Sequence, residues 1–421
     1  MITPAVFLSI ILLISSVPIF LVFGIGSSLV AVGDLKLPWA TLLQVSMGAV
    51  TKHVLIAIPL FIFAGLIMLR GGVARRLVEL SIALVGHWPG GLGIAMVLTM
   101  GFFAAFCGSI LAAISAVGTI MMPVMIEKGY SRPFVVVLAA AAGLLEALIP
   151  PSNGAIIFSA LTFVPVSKTF AAGIFPGFVF MALLMVYVVW RCRHMERPDR
   201  ATIQQRWQAL VSAAPGLVTP VLILGGIYMG LLTPSESAAV ASGWAIIVGF
   251  LVYRELTFTG IWEALKATAI TTSVIFSIIA MATFLSVILT YTQTPQSIIK
   301  FFIEFGATPI TFLFIIGVIC MILGTFLEVV PIFYLTIPVF IGVVSILGID
   351  MMHFYIVFGA FVGLGLLTPP VCVGVYTASA VIGEAPERAF REVPGFVLVG
   401  LVYAVLMIYF PFFATWLPSQ L

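Results

Sequence analysis

Long apolar runs fill most of the chain, and its polar residues lie in short breaks between those runs. Runs such as 5–23 and 179–190 are continuous, whereas the strands of membrane β-barrels alternate apolar and polar positions. Because runs of this length suit helices that cross a bilayer, the pattern predicts an all-α polytopic membrane protein. The predicted spans are 3–32, 37–52, 53–69, 134–165, 173–190, 213–231, 235–253, 269–291, 352–382 and 394–415.

Two further apolar stretches, 91–126 and 309–347, are too long for one span and are interrupted midway. Small or polar residues and proline form the interruptions, namely Cys107-Gly108-Ser109 in the first stretch and Gly324-Thr325, Glu328 and Pro331 in the second. We predict that each stretch folds back as a re-entrant helical hairpin. With the N-terminus outside, the first hairpin would enter from the cytoplasmic side and the second from the opposite side.

The two halves of the chain repeat the same order of features. Leu148-Ile149-Pro150-Pro151 recurs as Leu367-Thr368-Pro369-Pro370, each inside a long apolar span and each preceded by an interrupted hairpin. A Pro-Gly pair follows each time, Pro176-Gly177 and Pro394-Gly395, and is expected to open the next span. The pattern predicts two inverted-topology repeats.

The first repeat would cover residues 1–190, a cytoplasmic linker residues 191–212, and the second repeat residues 213–421. Within the first repeat the predicted parts are scaffold spans 1–69, an arm helix 70–90, the hairpin 91–126, a broken helix 134–165 and a span 173–190. Within the second they are spans 213–291, an arm 295–306, the hairpin 309–347, a broken helix 352–382 and a final span 394–415.

A double proline inside a span removes two backbone donors and leaves carbonyl groups unpaired at membrane depth. Irregular backbone is stable there only when it is buried in protein or lines a wet cavity. Paired broken helices in inverted repeats are typical of ion and substrate sites in secondary transporters. The alternative is a pair of proline kinks that bind nothing.

Composition and charge support a membrane protein and exclude a soluble enzyme. Of 421 residues, 62% are hydrophobic and 8% are charged, against roughly a quarter charged in soluble domains. The basic residues form no patch interleaved with aromatics, which argues against nucleic acid as a partner. Placing every Lys and Arg inside except Lys52, Lys168 and Lys300 gives an orientation with both termini periplasmic.

Over nearly the whole chain, the sequence resembles the large membrane subunit of tripartite ATP-independent periplasmic (TRAP) transporters. The stretches that carry the resemblance are Ile58–Phe61, Arg70–Leu77, Gly118–Pro123, Lys128–Tyr130, Ile149–Ser152, Thr233–Ala241 and Thr368–Val371. The resemblance implies a sodium-driven elevator transporter for an organic acid in a bacterial inner membrane. It also implies two protein partners, a small four-helix membrane subunit and a soluble periplasmic substrate-binding protein.

The resemblance places a sodium site where each hairpin tip meets the adjoining broken helix. Carried over by position, the first site comprises Gly108, Ser109, Pro150, Pro151, Ser152 and Asn153, and the second comprises Gly324, Thr325, Glu328, Thr368, Pro369 and Pro370. The implied substrate contacts are Ser109, Ser152, Asn153, Thr325, Thr368 and Pro370. No cofactor is implied beyond the coupling ion, sodium or a proton, and no catalytic or transition-metal residues are expected.

Two departures from the family pattern concern mechanism. The first tip has Cys107-Gly108-Ser109-Ile110-Leu111-Ala112-Ala113 where the family has Ser-Gly-Ser-Ser-Val-Ala-Thr, so hydroxyl groups are lost at Cys107, Ile110 and Ala113. Glu146 stands where a glycine is usual, and Glu328 stands where an aspartate is usual. A carboxylate within the membrane is costly and is a functional candidate by default. We hypothesise that Glu146 replaces the lost ligands, directly or by carrying a proton; the alternative is a glutamate facing a vestibule.

Two surface motifs have less specific interpretations. Arg75 and Arg76 are expected to anchor an amphipathic stretch to lipid phosphate, with contact to the small subunit as the alternative. The segment 233–236 is expected to cap a helix, with docking of the binding protein as the alternative.

Two other functions remain open. One is a self-sufficient ion-coupled anion symporter of related fold, which would need no binding protein. The other is a membrane-embedded transferase, although no convergent acid, base, nucleophile or metal cluster is visible in the sequence. Pull-down of the two expected partners would separate the first of these from a tripartite transporter.

Overall fold

The computed structural model describes residues 2–15, 17–195 and 199–421, and these ranges fold into helices joined by loops, with no β-strand. The chain up to Arg191 forms α1 (Ile2–Ile14), α2 (Ile19–Gly33), α3 (Trp39–Val50), α4 (Ala57–Arg70), α5 (Val73–Val85), α6 (Gly91–Cys107), α7 (Ile110–Glu127), α8 (Arg132–Gly143), α9 (Leu145–Leu148), α10 (Asn153–Thr162) and α11 (Val166–Arg191). A short 3₁₀ turn, His53–Ile56, leads into α4.

The second half forms α12 (Ile203–Tyr228), α13 (Pro234–Ile247), α14 (Phe258–Tyr291), α15 (Thr294–Glu304), α16 (Pro309–Gly324), α17 (Val329–Ile346), α18 (Met351–Leu367), α19 (Val373–Ile382), α20 (Pro386–Ala389), α21 (Val393–Tyr409) and α22 (Phe412–Thr415). A π turn, Val248–Val252, continues α13. Eight helices of the described chain are long and apolar enough to cross a membrane. The prediction of an all-helical polytopic membrane protein is confirmed.

Several predicted boundaries are wrong, for local reasons. The span predicted at 3–32 is two helices, because Pro18 has no backbone N–H with which to continue α1 and instead precedes α2. The linker predicted at 191–212 ends early, since α12 begins at Ile203. There Thr202 and Gln205 form a reciprocal capping box. Arg197, counted among the inside residues, lies outside the described residues.

The two Pro-Gly pairs differ in position. Pro394 lies in the first turn of α21, as expected for a residue that opens a helix. Pro176 lies in the interior of α11, which begins ten residues earlier at Val166, so that expectation is wrong for the first pair. The earlier start is explained by Pro165, the residue that precedes the helix.

Arg75 and Arg76, which are predicted to anchor the chain to lipid phosphate, also make contacts within the protein. The guanidinium groups of Arg75 and Arg76 pair with Glu255 at 2.5 and 2.9 Å, and Arg76 also lies 3.6 Å from the centre of the Tyr253 ring. Arg70 pairs with Glu263 on α14. These contacts fasten the end of α4 to α14 and fasten α5 to the loop before α14. Contact of Arg75 and Arg76 with lipid or with the small subunit stays a prediction.

The segment 233–236 does cap a helix, as expected. The Thr233 hydroxyl accepts from the backbone N–H of Glu236 at 3.3 Å, and the Glu236 carboxylate accepts from the backbone N–H of Thr233 at 2.7 Å. Ser235 instead donates to the His53 carbonyl at 3.2 Å. The capping prediction is confirmed, with Thr233 as the cap residue.

The helices fall into an outer scaffold and an inner core. In the scaffold, α14 packs on α2, α3 and α4, and α4 packs on α13. Side chains tie these helices together: Ser242 donates to the Leu60 carbonyl at 3.0 Å, and the Trp244 indole donates to the Pro215 carbonyl at 2.9 Å. The core contains α6 to α10 and α16 to α19, and its segment α8–α10 is almost wholly buried.

Candidate functional site

The first hairpin turns at Gly108, between α6 and α7. Gly108 has φ 64°, a left-handed conformation that glycine adopts without steric cost. A side-chain carbon on Gly108 would lie 3.0 Å from the Pro151 carbonyl oxygen and 3.3 Å from Oδ1 of Asn153. The tip therefore packs directly onto the first broken helix.

The first break runs from the end of α9 at Leu148 to the start of α10 at Asn153, and its residues Pro150, Pro151 and Ser152 are buried. The Ser152 hydroxyl donates to the Ala147 carbonyl at 3.2 Å. The Tyr355 hydroxyl of α18 donates to the same carbonyl at 3.3 Å. The break is thus held by hydrogen bonds from its own chain and from the second half of the molecule.

Two polar side chains at this break lack partners. Glu146 is 1% exposed, and neither of its carboxylate oxygens has a hydrogen-bond partner among the described residues. The backbone N–H groups of Gly108 and Ser109 approach the carboxylate without reaching hydrogen-bond geometry. Asn153 is 9% exposed, and its Oδ1 is likewise without a partner. Unpaired buried acceptors of this kind are costly and mark a place where a ligand would be stabilised.

The second hairpin turns between Gly324, the last residue of α16, and Val329, the first of α17. A side-chain carbon on Gly324 would lie 2.7 Å from the Val362 carbonyl oxygen and 2.9 Å from Cα of Gly365. This tip therefore packs on the last turns of α18 rather than on the break that follows. Glu328 precedes α17 and is exposed.

The second break, between α18 and α19, is open. Pro369, Pro370 and Val371 are exposed. The Thr368 hydroxyl donates to the Leu364 carbonyl at 2.8 Å, and the Thr325 hydroxyl at the tip donates to the Ile322 carbonyl at 2.7 Å. Both hydroxyl donors are therefore engaged by their own helices. The Pro-Pro peptide is cis in both breaks.

A cavity of about 490 Å³ lies where the two hairpin tips, the first break and α14 meet. Its polar lining includes Ser109, Glu146, Ser152, Asn153, Glu328 and Tyr355. Ile270, Val274 and Ile278 of α14 form an apolar wall of the cavity. No lysine, arginine or histidine of the described chain lines it, so its only ionisable carboxyl groups, Glu146 and Glu328, face no basic side chain there.

The cavity offers oxygen donors of the kind that a small hard cation prefers. Carboxylate, amide, hydroxyl and backbone carbonyl oxygens are the ligands that hard cations prefer. Among the residues that the structure describes, no group of three or more His, Cys, Asp and Glu side chains is placed to hold a metal ion.

Residues 3–413 match the family described as "Tripartite ATP-independent periplasmic transporter, DctM component". The chain belongs to this family. It is 36% identical over 382 residues, 90% of each chain, to the C4-dicarboxylate TRAP transporter large permease protein DctM of Pseudomonas aeruginosa. It is 34% identical over 368 residues, 87% of this chain and 86% of the relative, to the 2,3-diketo-L-gulonate TRAP transporter large permease protein YiaN of Escherichia coli.

A solved structure shows the same fold at low sequence identity. The crystal structure of the Alcanivorax borkumensis YdaH transporter matches with a TM-score of 0.60 and 15% identity, covering 93% of this chain and 91% of that one. The match to the family over residues 3–413 confirms the family predicted from the sequence motifs, and the shared fold confirms an all-helical membrane protein.

Within this TRAP subunit the structure brings only part of the predicted site together. Of the residues predicted from the sequence, those that line the cavity are Gly108, Ser109, Glu146, Ser152, Asn153 and Glu328. Those that do not line it are Pro150, Pro151, Gly324, Thr325, Thr368, Pro369 and Pro370. Tyr355 also lines the cavity and was not among the predicted residues, because it has no local motif and stands out only as a polar ring deep in an apolar span.

Proposed function

We propose that this subunit takes up a small organic acid anion by secondary active transport coupled to a cation gradient. The observation that carries the proposal is the cavity at the meeting of tips, break and scaffold, which holds two glutamates and no basic side chain. An anion would be repelled from such a cavity unless cations accompanied it. Co-binding of cation and anion is the basis of symport.

We propose sodium as the coupling cation, with a proton as the alternative. The first sodium site would use Gly108, Ser109, Pro150, Pro151, Ser152 and Asn153, and the second Gly324, Thr325, Glu328, Thr368, Pro369 and Pro370. Support for the first is the buried, unpartnered Oδ1 of Asn153 beside the tip. The second would require its hairpin tip to close over a break that is now exposed.

The anion would be held mainly by backbone dipoles. Helix α10 begins at Asn153 on the cavity wall, and a helix N-terminus presents free N–H groups to an anion. The proposed substrate contacts are Ser109, Ser152 and Asn153 at the first break, and Thr325, Thr368 and Pro370 once the second hairpin closes. That the two relatives are named for a C4-dicarboxylate and for diketo-gulonate supports an organic acid as the substrate class.

An elevator movement of the core against the scaffold fits the surfaces between them. The cavity face of α14 presents Ile270, Val274 and Ile278, side chains that can slide past the core without breaking hydrogen bonds. Polar ties such as Ser242 to Leu60 join the scaffold helices to one another instead. The inverted repeat of hairpin and broken helix would then give the site access to one side of the membrane at a time.

The family supports two partners, a small four-helix membrane subunit beside the scaffold and a soluble periplasmic binding protein that delivers the anion. We propose a bacterial inner-membrane location with both termini periplasmic. This orientation rests on the distribution of basic residues. Lipid would surround the exposed apolar faces of the spans.

Uptake into proteoliposomes tests the proposal. The subunit is reconstituted with its small partner, a sodium gradient is imposed, and labelled C4-dicarboxylates and sugar acids are offered with their binding proteins. Each component is then omitted in turn. We expect uptake to require all three proteins. Equal uptake without the binding protein would overturn the tripartite assignment in favour of a self-sufficient symporter.

A further inference from the structure

Glu146 is the most deeply buried acidic side chain of the cavity. It is 1% exposed, and both carboxylate oxygens lack partners among the described residues. The groups around it are the backbone N–H groups of Gly108 and Ser109, the thiol of Cys107 at the end of α6, and, elsewhere on the cavity wall, Glu328. Because no basic side chain lines the cavity, nothing in the described chain neutralises a charge on Glu146.

Oxygen acceptors gather around the same tip. The Pro151 carbonyl oxygen and Oδ1 of Asn153 both face Gly108, on whose backbone amide side Glu146 lies. A proton on Glu146 would neutralise one carboxylate but would leave Oδ1 of Asn153 buried without a partner. A small cation with several oxygen ligands would satisfy these acceptors together.

We propose that Glu146 is a direct ligand of the cation at the first hairpin tip, together with Oδ1 of Asn153 and the Pro151 carbonyl. The first site then carries a built-in negative charge. This inference rests on the proposed cation coupling and adds to it the identity of a charged ligand. It also accounts for the smaller number of hydroxyl groups at the tip, since a carboxylate binds a hard cation more strongly than a hydroxyl group does.

The charge has a consequence for the transport cycle. With a monovalent cation bound, Glu146 and its ion add no net charge to the loaded core. When the ion has left, the empty core carries the negative charge of Glu146. This site therefore makes the return of the empty core sensitive to voltage. A site built from neutral oxygens would instead make the movement of the loaded core sensitive to voltage.

Sodium binding to the purified complex of this chain and its small subunit tests the ligand role without transport. The midpoint of thermal unfolding is measured against sodium concentration, with choline replacing sodium at constant ionic strength, for wild type, Glu146→Gln and Glu146→Asp. The control is Glu79→Gln, an exposed glutamate of α5. We expect Glu146→Gln to need about tenfold or more sodium for half-maximal stabilisation, Glu146→Asp to be intermediate, and the control to match wild type.

Unchanged sodium dependence in Glu146→Gln would overturn the inference. Should that variant fail to fold, Glu146→Asp with wild-type sodium dependence would overturn it equally, because the shorter side chain cannot reach the same position. Neither result would bear on the proposed uptake function, which is tested separately by proteoliposome uptake with each protein omitted in turn. Absence of sodium binding in the wild type would overturn both the ligand role and sodium as the coupling ion.

A second measurement addresses the charge. Substrate exchange at saturating sodium, in which only the loaded core moves, is followed at imposed membrane potentials. We expect Glu146→Gln to move about one elementary charge more per loaded crossing than wild type. Equal voltage dependence in the two proteins would contradict a charged Glu146 in the loaded state.

Discussion

The two Pro-Pro breaks share a sequence pattern but differ in their surroundings. At the first break the tip glycine, Gly108, faces the Pro151 carbonyl and Asn153, and every residue from Pro150 to Asn153 is buried. At the second, Gly324 packs against Val362 and Gly365 within α18, and residues 369–371 are exposed. The first hairpin tip therefore covers its break, whereas the second tip packs on the end of α18 and leaves its break exposed.

The residues that follow the prolines differ as well. Ser152 and Asn153 follow the first pair, whereas Val371 and Cys372 follow the second. An amide and a hydroxyl supply oxygen ligands, and a valine and a thiol do not suit a hard cation. The first break is therefore closed and rich in oxygen donors, whereas the second is exposed and has no oxygen-bearing side chain directly after its prolines.

The largest expected effect is at the first tip. Gly108→Val places a branched side chain at a left-handed φ and between the Pro151 carbonyl and Asn153. We expect uptake to fall about 100-fold or more, because the tip can no longer seat on the break. Gly359→Ala is the control, since Gly359 lines the same cavity and a Cβ there meets nothing within 4 Å. Uptake of Gly108→Val within twofold of the control would show that tip contact is not required.

The next largest effect is expected at Asn153, which is compared with Cys372, the residue at the equivalent position after the second proline pair. Asn153→Leu removes Oδ1 at similar volume, and we expect about tenfold more sodium to be needed for half-maximal uptake. Cys372→Ala should change that concentration less than about twofold, because a thiol is a poor sodium ligand. Sodium titration of uptake measures both. A larger effect at Cys372 than at Asn153 would mean that the second break, and not the first, binds sodium more tightly.

Transferring side chains from the first break to the second tests whether residue identity or closure by the tip controls sodium binding. The double substitution Val371→Ser and Cys372→Asn gives the second break the side chains of the first. We expect the sodium dependence to change less than about threefold, since water can reach an exposed break and a hairpin tip does not cover it. Markedly tighter sodium binding in this double variant would mean that residue identity, rather than closure by the tip, decides how tightly a break binds sodium.

The smallest effect concerns the far ends of the broken helices. Lys52 donates to the Ala160 carbonyl at 2.9 Å and lies 5.6 Å from the centre of the Phe163 ring at the end of α10, whereas α19 ends at Ile382 and is followed by Glu384, which pairs with Arg132 at 3.6 Å. Lys52→Met should lower stability by about 1 kcal/mol through loss of this bond. Thermal unfolding checks this, with the exposed Lys168→Met as control. A shift no larger than the control's would show that the contact contributes nothing.

The sequence was sufficient to predict the family, the all-helical membrane fold and the interruptions at the two hairpin tips and the two Pro-Pro pairs, but not the break at Pro18. Glycine and proline act locally, so the breaks near Gly108 and Pro150 follow from residue type alone. The start of α12 could also have been predicted, because Thr202 and Gln205 have the spacing of a capping box.

Which predicted site residues come together could not be read from the sequence. Whether a tip seats on its break depends on packing between helices distant in the chain, as the contact of Gly324 with Gly365 illustrates. The part played by Tyr355 at the first break likewise depends on α18 crossing it. Arg75 and Arg76 pair with Glu255, and Arg75 is 180 residues away from it in the chain. No local sequence pattern indicates such a tertiary contact.

Uptake under separately imposed sodium and proton gradients tests the central claim most directly. Proteoliposomes contain this subunit, its small partner and loaded binding protein, and Glu146→Gln is run beside the wild type. We expect uptake driven by the sodium gradient at constant pH, with Glu146→Gln losing uptake at low sodium and recovering it at high sodium. Uptake driven by a proton gradient without sodium, and lost in Glu146→Gln at every sodium concentration, would contradict it.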